Sequence, residues 1–183
     1  MRITYVKKSR IDQGHCSKCR DPLPKGSAYR WIKFLYGSKS KRCMKSTCAF
    51  RPSDMTSSDK LADLYSAQEQ AQDALGAVRT FAPDGDLEAT TAVMSDLAET
   101  LREGSYSAQD VGDRYQESAD NMAEYFDGSP QIDEIEQKSE AAIEWAGELE
   151  EAAGLADEPL DEDTDIESVL SEIEDKVEAL EVF

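Results

Sequence analysis

The chain contains four cysteines, and all of them lie within its first 48 residues. Two residues separate Cys16 from Cys19, and four residues separate Cys43 from Cys48. A tetrahedral metal site needs four soft ligands, and a C-x2-C turn presents two thiolates whose sulfurs accept hydrogen bonds from backbone amides. The spacing therefore predicts a structural site for one Zn²⁺ ion, with these four cysteines as its ligands.

Other uses of the cysteines are less well supported by the sequence. His15 precedes Cys16 and is an alternative fourth ligand, but its neighbour already occupies that turn. A redox C-x-x-C pair belongs in a βαβ context, which is missing here. A catalytic zinc keeps one coordination position open, whereas four cysteines close the site.

The charge of the chain divides near residue 51. Residues 1–51 contain 14 Lys or Arg and two acidic residues, a formal charge of +12, whereas the remaining 132 residues contain six and 37, a charge of −31. Hydrophobic residues make up 39% of the chain, which is thin for one large core, so we expect a composite of parts. The predicted parts are a basic zinc-binding head (1–55), an acidic helical bundle (56–153), an acidic linker (154–164) and a C-terminal amphipathic helix (165–183).

A short β-hairpin is predicted between the two cysteine pairs. The segment from Ser27 to Tyr36 is rich in aromatic and β-branched residues, with Tyr29 and Trp31 in alternation. Residues 37–40 then have the composition of a turn. The hairpin would return the chain so that the second cysteine pair meets the first.

From Thr56 onward, apolar residues recur at the spacing of amphipathic helices. Five helices are predicted, and short turns between the first four favour an antiparallel up-and-down bundle. The fifth either packs on that bundle or protrudes to pair with a partner. Ser57 or Ser58 is predicted to cap the first helix, and residues 83–85 connect it to the second, which stops at Gly104. A capping box of Ser107 with Asp110 opens the third helix, which extends to Phe126. Ser129 with Pro130 opens the fourth helix, and a capping box of Thr164 with Glu167 opens the fifth.

The cysteine region also resembles a known group of proteins. Its runs are Gly14-His-Cys-Ser-Lys-Cys-Arg-Asp-Pro-Leu-Pro-Lys-Gly-Ser-Ala-Tyr-Arg-Trp, Lys41-Arg-Cys-Met and Cys48-Ala-Phe-Arg-Pro-Ser. Over residues 14–54 they resemble the zinc-ribbon or treble-clef heads of small, uncharacterised proteins from tailed viruses of bacteria and archaea. Those heads are similar to zinc fingers that recognise nucleic-acid ends. The resemblance implies a non-enzymatic zinc-binding protein with the same four cysteine ligands.

The predicted fold class is mainly α with a small zinc-bound β-hairpin module. In this architecture an N-terminal zinc-ribbon or treble-clef head is followed by an acidic antiparallel bundle of four to five helices. The two parts have opposite charge, so we expect them to recognise different partners.

The basic head has the composition of a nucleic-acid-binding surface, because its cations attract phosphates and its aromatic residues can stack on bases. An alternative stays open: zinc bound by four thiolates carries a charge of −2, which nearby cations would offset, while the aromatics fill a small core. The predicted nucleic-acid contacts are Lys18, Arg20, Lys25, Arg30, Trp31, Lys33, Lys41, Arg42 and Lys45.

The acidic helices have three interpretations. Their charge density imitates the phosphates of a duplex, which indicates a DNA mimic that occupies the nucleic-acid channel of a host enzyme. Adaptation to high internal salt would also acidify the surface. In the third interpretation, the tail docks on its own basic head, within one chain or in a dimer.

Motifs of catalysis are missing from the sequence. There is no phosphate-binding loop, dinucleotide fingerprint, nucleophile elbow or H-E-x-x-H zinc motif, and His15 is the only histidine. The sequence therefore predicts a protein that is not an enzyme and has no small-molecule substrate. It also lacks a long apolar run and a signal-peptide pattern, so we expect a soluble intracellular protein without membrane contact, in the host cytoplasm if it is viral.

The leading functional hypothesis is a non-enzymatic, virus-encoded zinc-finger protein. Its basic head contacts nucleic acid or another anionic partner, and its acidic helices bind a protein. One alternative is a DNA-mimic inhibitor of a host nucleic-acid enzyme that acts through the tail. Another is a structural virion or scaffold component that assembles as a homo-oligomer through its amphipathic helices.

Overall fold

The computed structural model of the chain describes residues 1–34, 37–81, 87–126, 128–161 and 163–180. They belong to two compact units, Met1–Ala62 and Asp63–Phe183. The fold is mainly helical, with one small antiparallel sheet. Within the described ranges, no helix combines the length and apolarity that crossing a bilayer requires.

The first unit is built on a three-stranded antiparallel sheet. Its strands are β1 (Thr4–Val6), β2 (Tyr29–Lys33) and β3 (Lys39–Cys43), in that spatial order. Strands β2 and β3 confirm the predicted hairpin between the cysteine pairs. Lys39 and Ser40, predicted as turn residues, lie in β3 instead, and Tyr36 lies outside the described residues. Strand β1 was not predicted.

Two short 3-10 turns follow the sheet, Ser46–Cys48 and Pro52–Met55. They lead to the first long helix, α1 (Asp59–Phe81), and Ser58 caps it because the Leu61 N–H donates to the Ser58 Oγ at 3.4 Å. The division between the two units falls inside α1. Residues 83–85, predicted as the connection after this helix, lie outside the described residues.

The second unit contains the rest of α1 and three further helices, α2 (Leu87–Ala123), α3 (Pro130–Ala156) and α4 (Ile166–Glu178). Each buries an apolar stripe at helical spacing, as predicted. The start of α3 is also confirmed, since the Gln131 N–H donates to the Ser129 Oγ. Pro130 occupies the first turn, where its missing N–H costs no helical hydrogen bond.

The predicted break between the second and third helices is wrong, because α2 runs through it as one helix of 37 residues. Gly104 does not end a helix. A Cβ atom there would lie 3.2 Å from the Leu149 Cδ1, so the glycine lets α3 approach closely. Ser107 lies within α2 and caps nothing, and Phe126 lies beyond the end of the helix. The described chain therefore has four helices and not five.

The last helix, α4, packs within the second unit and does not protrude. Its residues Leu170, Ile173 and Val177 are buried, and the Gln68 side chain donates to the Val177 carbonyl oxygen at 3.1 Å. Of the two alternatives for the fifth predicted helix, packing on the other helices is therefore the one that the structure shows.

The predicted boundaries before α4 need two corrections. Asp165 caps the helix by accepting the Ser168 N–H, because the Thr164 hydroxyl is already bonded to Asp161. Residues 154–156, predicted as linker, form the last part of α3. Leu155 and Ala156 favour a helix, and α3 continues through Gly154 although glycine has a low helix propensity.

Candidate metal centre

The side chains of Cys16, Cys19, Cys43 and Cys48 converge at one point of the first unit. Their sulfur atoms all lie within 4.8 Å of one another. All four are free thiols, and the Sγ atoms of Cys19 and Cys43 are 3.7 Å apart, far beyond a disulfide bond. This arrangement is compatible with a structural metal site.

Local backbone structure places each cysteine. Cys43 ends β3 and Cys48 ends the first 3-10 turn, while Cys16 and Cys19 lie on a tight turn. In that turn the Cys16 N–H donates to the Asp21 carbonyl at 2.8 Å, and the Arg20 N–H donates to the Cys16 carbonyl at 3.0 Å. Arg20 takes a left-handed conformation, with φ of 64°. Backbone hydrogen bonds thus help to order the turn.

A second set of contacts joins this turn to the sheet. The Ser17 N–H donates to the Lys41 carbonyl on β3 at 2.8 Å. The Cys43 N–H donates to the Cys16 Sγ at 3.4 Å, the kind of backbone donor that stabilises a metal-bound thiolate. The two cysteine pairs therefore meet because β3 pairs with the turn.

The sulfur spacing suits a tetrahedral ion. Four sulfurs at ~2.3 Å from a central zinc ion stand ~3.8 Å apart. The Sγ atoms of Cys19 and Cys43 are 3.7 Å apart, and every pair of the four sulfurs lies within 4.8 Å. His15, the alternative ligand, is exposed and does not belong to the cluster found among the described residues.

The thiols differ in acidity. Burial raises the pKa of Cys16, but backbone hydrogen bonds, first that of Cys43, outweigh it and lower the pKa from 9.0 to about 6. A backbone hydrogen bond from Asp21 lowers the pKa of Cys19, but burial and the neighbouring thiols raise it to about 12. Burial raises the pKa of Cys43 as well. One thiolate forms readily, and a cation would favour ionisation of the others.

Two of the predicted nucleic-acid contacts are buried. Arg30 and Arg42 face each other across β2 and β3, and each is only 8% exposed. Arg30 donates to the carbonyl oxygens of Cys43 at 3.1 Å and Lys45 at 2.8 Å. It therefore holds the segment that follows Cys43, and its guanidinium is not available to an external phosphate.

Arg42 holds the segment that follows Cys48. It donates to the Ala49 carbonyl at 2.9 Å and forms a two-pronged ion pair with Asp54, at 2.7 and 2.5 Å. Its guanidinium also stacks on Phe50, 4.5 Å from the ring centroid. No pattern in the sequence predicted Asp54 or Phe50 as partners of Arg42.

Substitution of Asp54 is expected to weaken the first unit. Asp54→Asn leaves the Arg42 charge with a neutral partner in a mostly buried place, so we expect a loss of about 1–2 kcal/mol. Asp21→Asn is the matched control, because the ion pair of Asp21 with Lys45 is exposed and contributes little. Urea unfolding, followed by the thiolate charge-transfer absorption of bound Co²⁺, measures both variants. Equal losses in the two would contradict this role of Asp54.

The other predicted contacts are at or near the surface. Lys18, Arg20, Lys25, Lys33 and Lys45 are exposed, while Trp31 and Lys41 are half-buried. Lys45 is paired with Asp21, which raises the pKa of Lys45 and lowers that of Asp21. Seven of the nine residues are therefore accessible at least in part.

The second unit uses its few cations between helices. Residues 63–183 contain 35 acidic and five basic residues. In the part of this unit that the structure describes, four of the five basic residues bind a carboxylate outside their own helix, and carboxylates far outnumber cations in the sequence. These pairs are Arg79 with Glu174, Arg102 with Asp157, Arg114 with Asp63, and Lys176 with Glu148 and Glu151.

No protein-family model, curated protein or solved structure matches the chain.

Proposed function

We propose that this chain is a non-enzymatic zinc-binding protein whose first unit binds nucleic acid. The four cysteines would hold one Zn²⁺ ion, because a closed set of thiolates suits zinc and leaves no position for a substrate. The ion would be structural: it joins the turn at Cys16 to the end of β3. Function then depends on the surface that this centre supports.

The observation that carries the proposal is the excess of positive charge. Residues 1–51 have a formal charge of +12, and a zinc ion bound by four thiolates offsets only two of these charges. Arg42 is neutralised by Asp54, and Lys45 pairs with Asp21. Most of the remaining cations are exposed, so offsetting the metal centre does not account for them. A dense cationic surface of this kind favours a polyanion.

Binding is expected to depend on salt. For the zinc-loaded full chain and oligonucleotides, the logarithm of the association constant should fall linearly with the logarithm of the salt concentration. Replacing both Lys18 and Lys25 by glutamine should reduce that slope by about two. Fluorescence anisotropy between about 50 and 200 mM salt measures this, a range in which charges beyond about 10–15 Å are screened from one another.

Lys138→Gln, a change in the acidic unit, is the control and should leave the slope unchanged. If neither single strands nor duplexes bind at the lowest salt concentration, the proposed function is wrong. Equal slopes for the wild type and the double variant would show that Lys18 and Lys25 do not contact the nucleic acid.

A second candidate function rests on the acidic unit. Four of its five cations form ion pairs with carboxylates outside their own helices. Its outer surface is therefore dominated by carboxylates, as a DNA mimic requires. In this case the chain would displace duplex DNA from a DNA-binding enzyme. A displacement assay in which added chain leaves the enzyme–duplex complex intact would speak against mimicry.

A further inference from the structure

The side chains of β2 differ in burial between the two faces of the sheet and along the strand. Side chains alternate along β2, so Arg30 and Ile32 point to one face and Trp31 and Lys33 to the other. Ile32 is fully buried and Arg30 nearly so, whereas Lys33 is exposed and Trp31 is half-buried. The face that carries Trp31 also carries the buried Tyr29, so it is accessible only toward the end of β2 that holds Trp31 and Lys33.

Strand pairing places three lysines on the same face of the sheet as Trp31. In the register of β2 with β3, Trp31 lies opposite Lys41, and Lys33 lies opposite Lys39. Lys33 and Lys39 are exposed; Lys41 is half-buried and donates one long hydrogen bond, 3.4 Å, to the Gln13 carbonyl. The accessible end of this face thus combines one large aromatic side chain with three lysines.

One contact indicates that a face of the Trp31 ring is open. The Lys39 Nζ lies 4.6 Å from the centroid of that ring. The exposed Lys39 ammonium can occupy this position only if no apolar side chain covers that face of the Trp31 ring. A cation over an exposed ring is weakly held, so another flat group can take its place.

We propose that Trp31, with Lys33, Lys39 and Lys41, is a stacking platform for an unpaired nucleobase, so that the first unit prefers single-stranded nucleic acid. This inference rests on the proposed function and names its ligand class. Bases inside a duplex are stacked on each other, whereas those of a single strand offer a free face to an aromatic ring. A displaced Lys39 would then be free to pair with a phosphate.

A purely structural role for Trp31 is the competing explanation. The ring also lies beside Thr4 of β1, and cross-strand contacts of this kind stabilise sheets. Trp31→Leu separates the two roles, since leucine keeps apolar bulk on the sheet but offers no ring to a base. The absorption of Co²⁺ bound to the cysteines reports whether the variant still folds.

The test compares a single strand with a duplex, both bound to the zinc-loaded full chain. The probes are oligothymidylate of about 16 nucleotides and a duplex of the same length. The single strand should bind more tightly, and Trp31→Leu should weaken its binding about tenfold while leaving the duplex unchanged. Trp31→Phe should recover part of the loss. Lys8→Gln, an exposed charge change outside this face, is the electrostatic control and should weaken both probes equally.

Intrinsic fluorescence gives an independent reading. The chain has two tryptophans, and Trp145 is buried in the second unit. In a Trp145→Phe background the emission comes from Trp31 alone, and oligothymidylate should quench it. Equal binding of both probes, unchanged in Trp31→Leu, would overturn the stacking platform and leave the proposed function standing. Absence of binding by either probe at low salt would overturn both.

Discussion

Removal of the proposed zinc ion, by a chelator or by Cys19→Ser, is expected to unfold the first unit and to leave the helices of the second unit folded. A structural zinc contributes on the order of 10 kcal/mol of apparent binding free energy at neutral pH. In the described part of the first unit, the buried large apolar side chains other than cysteine are Leu23, Tyr29, Ile32 and Phe50. Four such side chains cannot replace that contribution.

The second unit is not expected to share this dependence on a metal. Its core contains long apolar and aromatic side chains on four helices, with Trp145, Leu101 and Leu149 among those that are fully buried. Because the cysteines lie outside it, we expect its folding free energy to include no contribution from a metal bound at the cysteines. The two units should therefore respond to a chelator independently.

Circular dichroism at 222 nm and amide NMR spectra distinguish the two responses. The helical signal should persist after chelation, while the dispersed resonances of β1, β2 and β3 should collapse. Met44→Ser changes an exposed residue next to Cys43 and serves as the control, which should retain the sheet. A proportional loss of helix and sheet would show that the units do not fold separately.

Two glycine substitutions in the second unit are expected to change its stability in opposite directions. A Cβ atom at Gly112 would lie 2.5 Å from the Ile143 Cγ1 and 3.2 Å from the Ser139 carbonyl oxygen. Gly112→Ala should therefore destabilise the unit by about 1–3 kcal/mol through overpacking. At Gly147 nothing lies within 4 Å of the added atom, so Gly147→Ala should stabilise α3 by about 0.5–1 kcal/mol.

The reason for this difference lies in the contact between α2 and α3. Ser105 on α2 donates to the Ala146 carbonyl at 2.8 Å, and Ser139 on α3 donates to the Gly112 carbonyl at 2.8 Å. Such hydrogen bonds between a side chain and the opposite backbone require a close approach of the two helices. Urea unfolding followed at 222 nm measures both variants. If Gly112→Ala were as stable as Gly147→Ala, the close approach would be contradicted.

Local patterns predicted much of the helical part of the fold. The stripe of apolar residues in α3 and its Ser129–Pro130 start are both present, because amphipathic spacing and capping act within one helix. The same reasoning failed at Gly104. A glycine that ends a helix and a glycine that admits a neighbouring helix look alike in a sequence, and only the position of Leu149 distinguishes them.

The candidate site was predictable to a similar degree. The spacing of the cysteines was enough to predict that all four lie close together, because short-range turn geometry and one hairpin determine where they lie. The set of exposed cations was not predictable. Arg30 and Arg42 have the same composition signal as Lys18 and Lys25, yet their guanidiniums point into the core.

The sequence by itself therefore determined the cysteine cluster, the separation of charge, and which residues of each helix are apolar. These properties depend on residue type and on spacing over a few turns of chain. Tertiary structure alone decided that α2 is continuous, that α4 packs within the second unit, and which cations remain outside. The physical reason is that burial, ion pairing and close helix contact depend on residues far apart in the chain, such as Arg79 with Glu174 and Ser105 with Ala146.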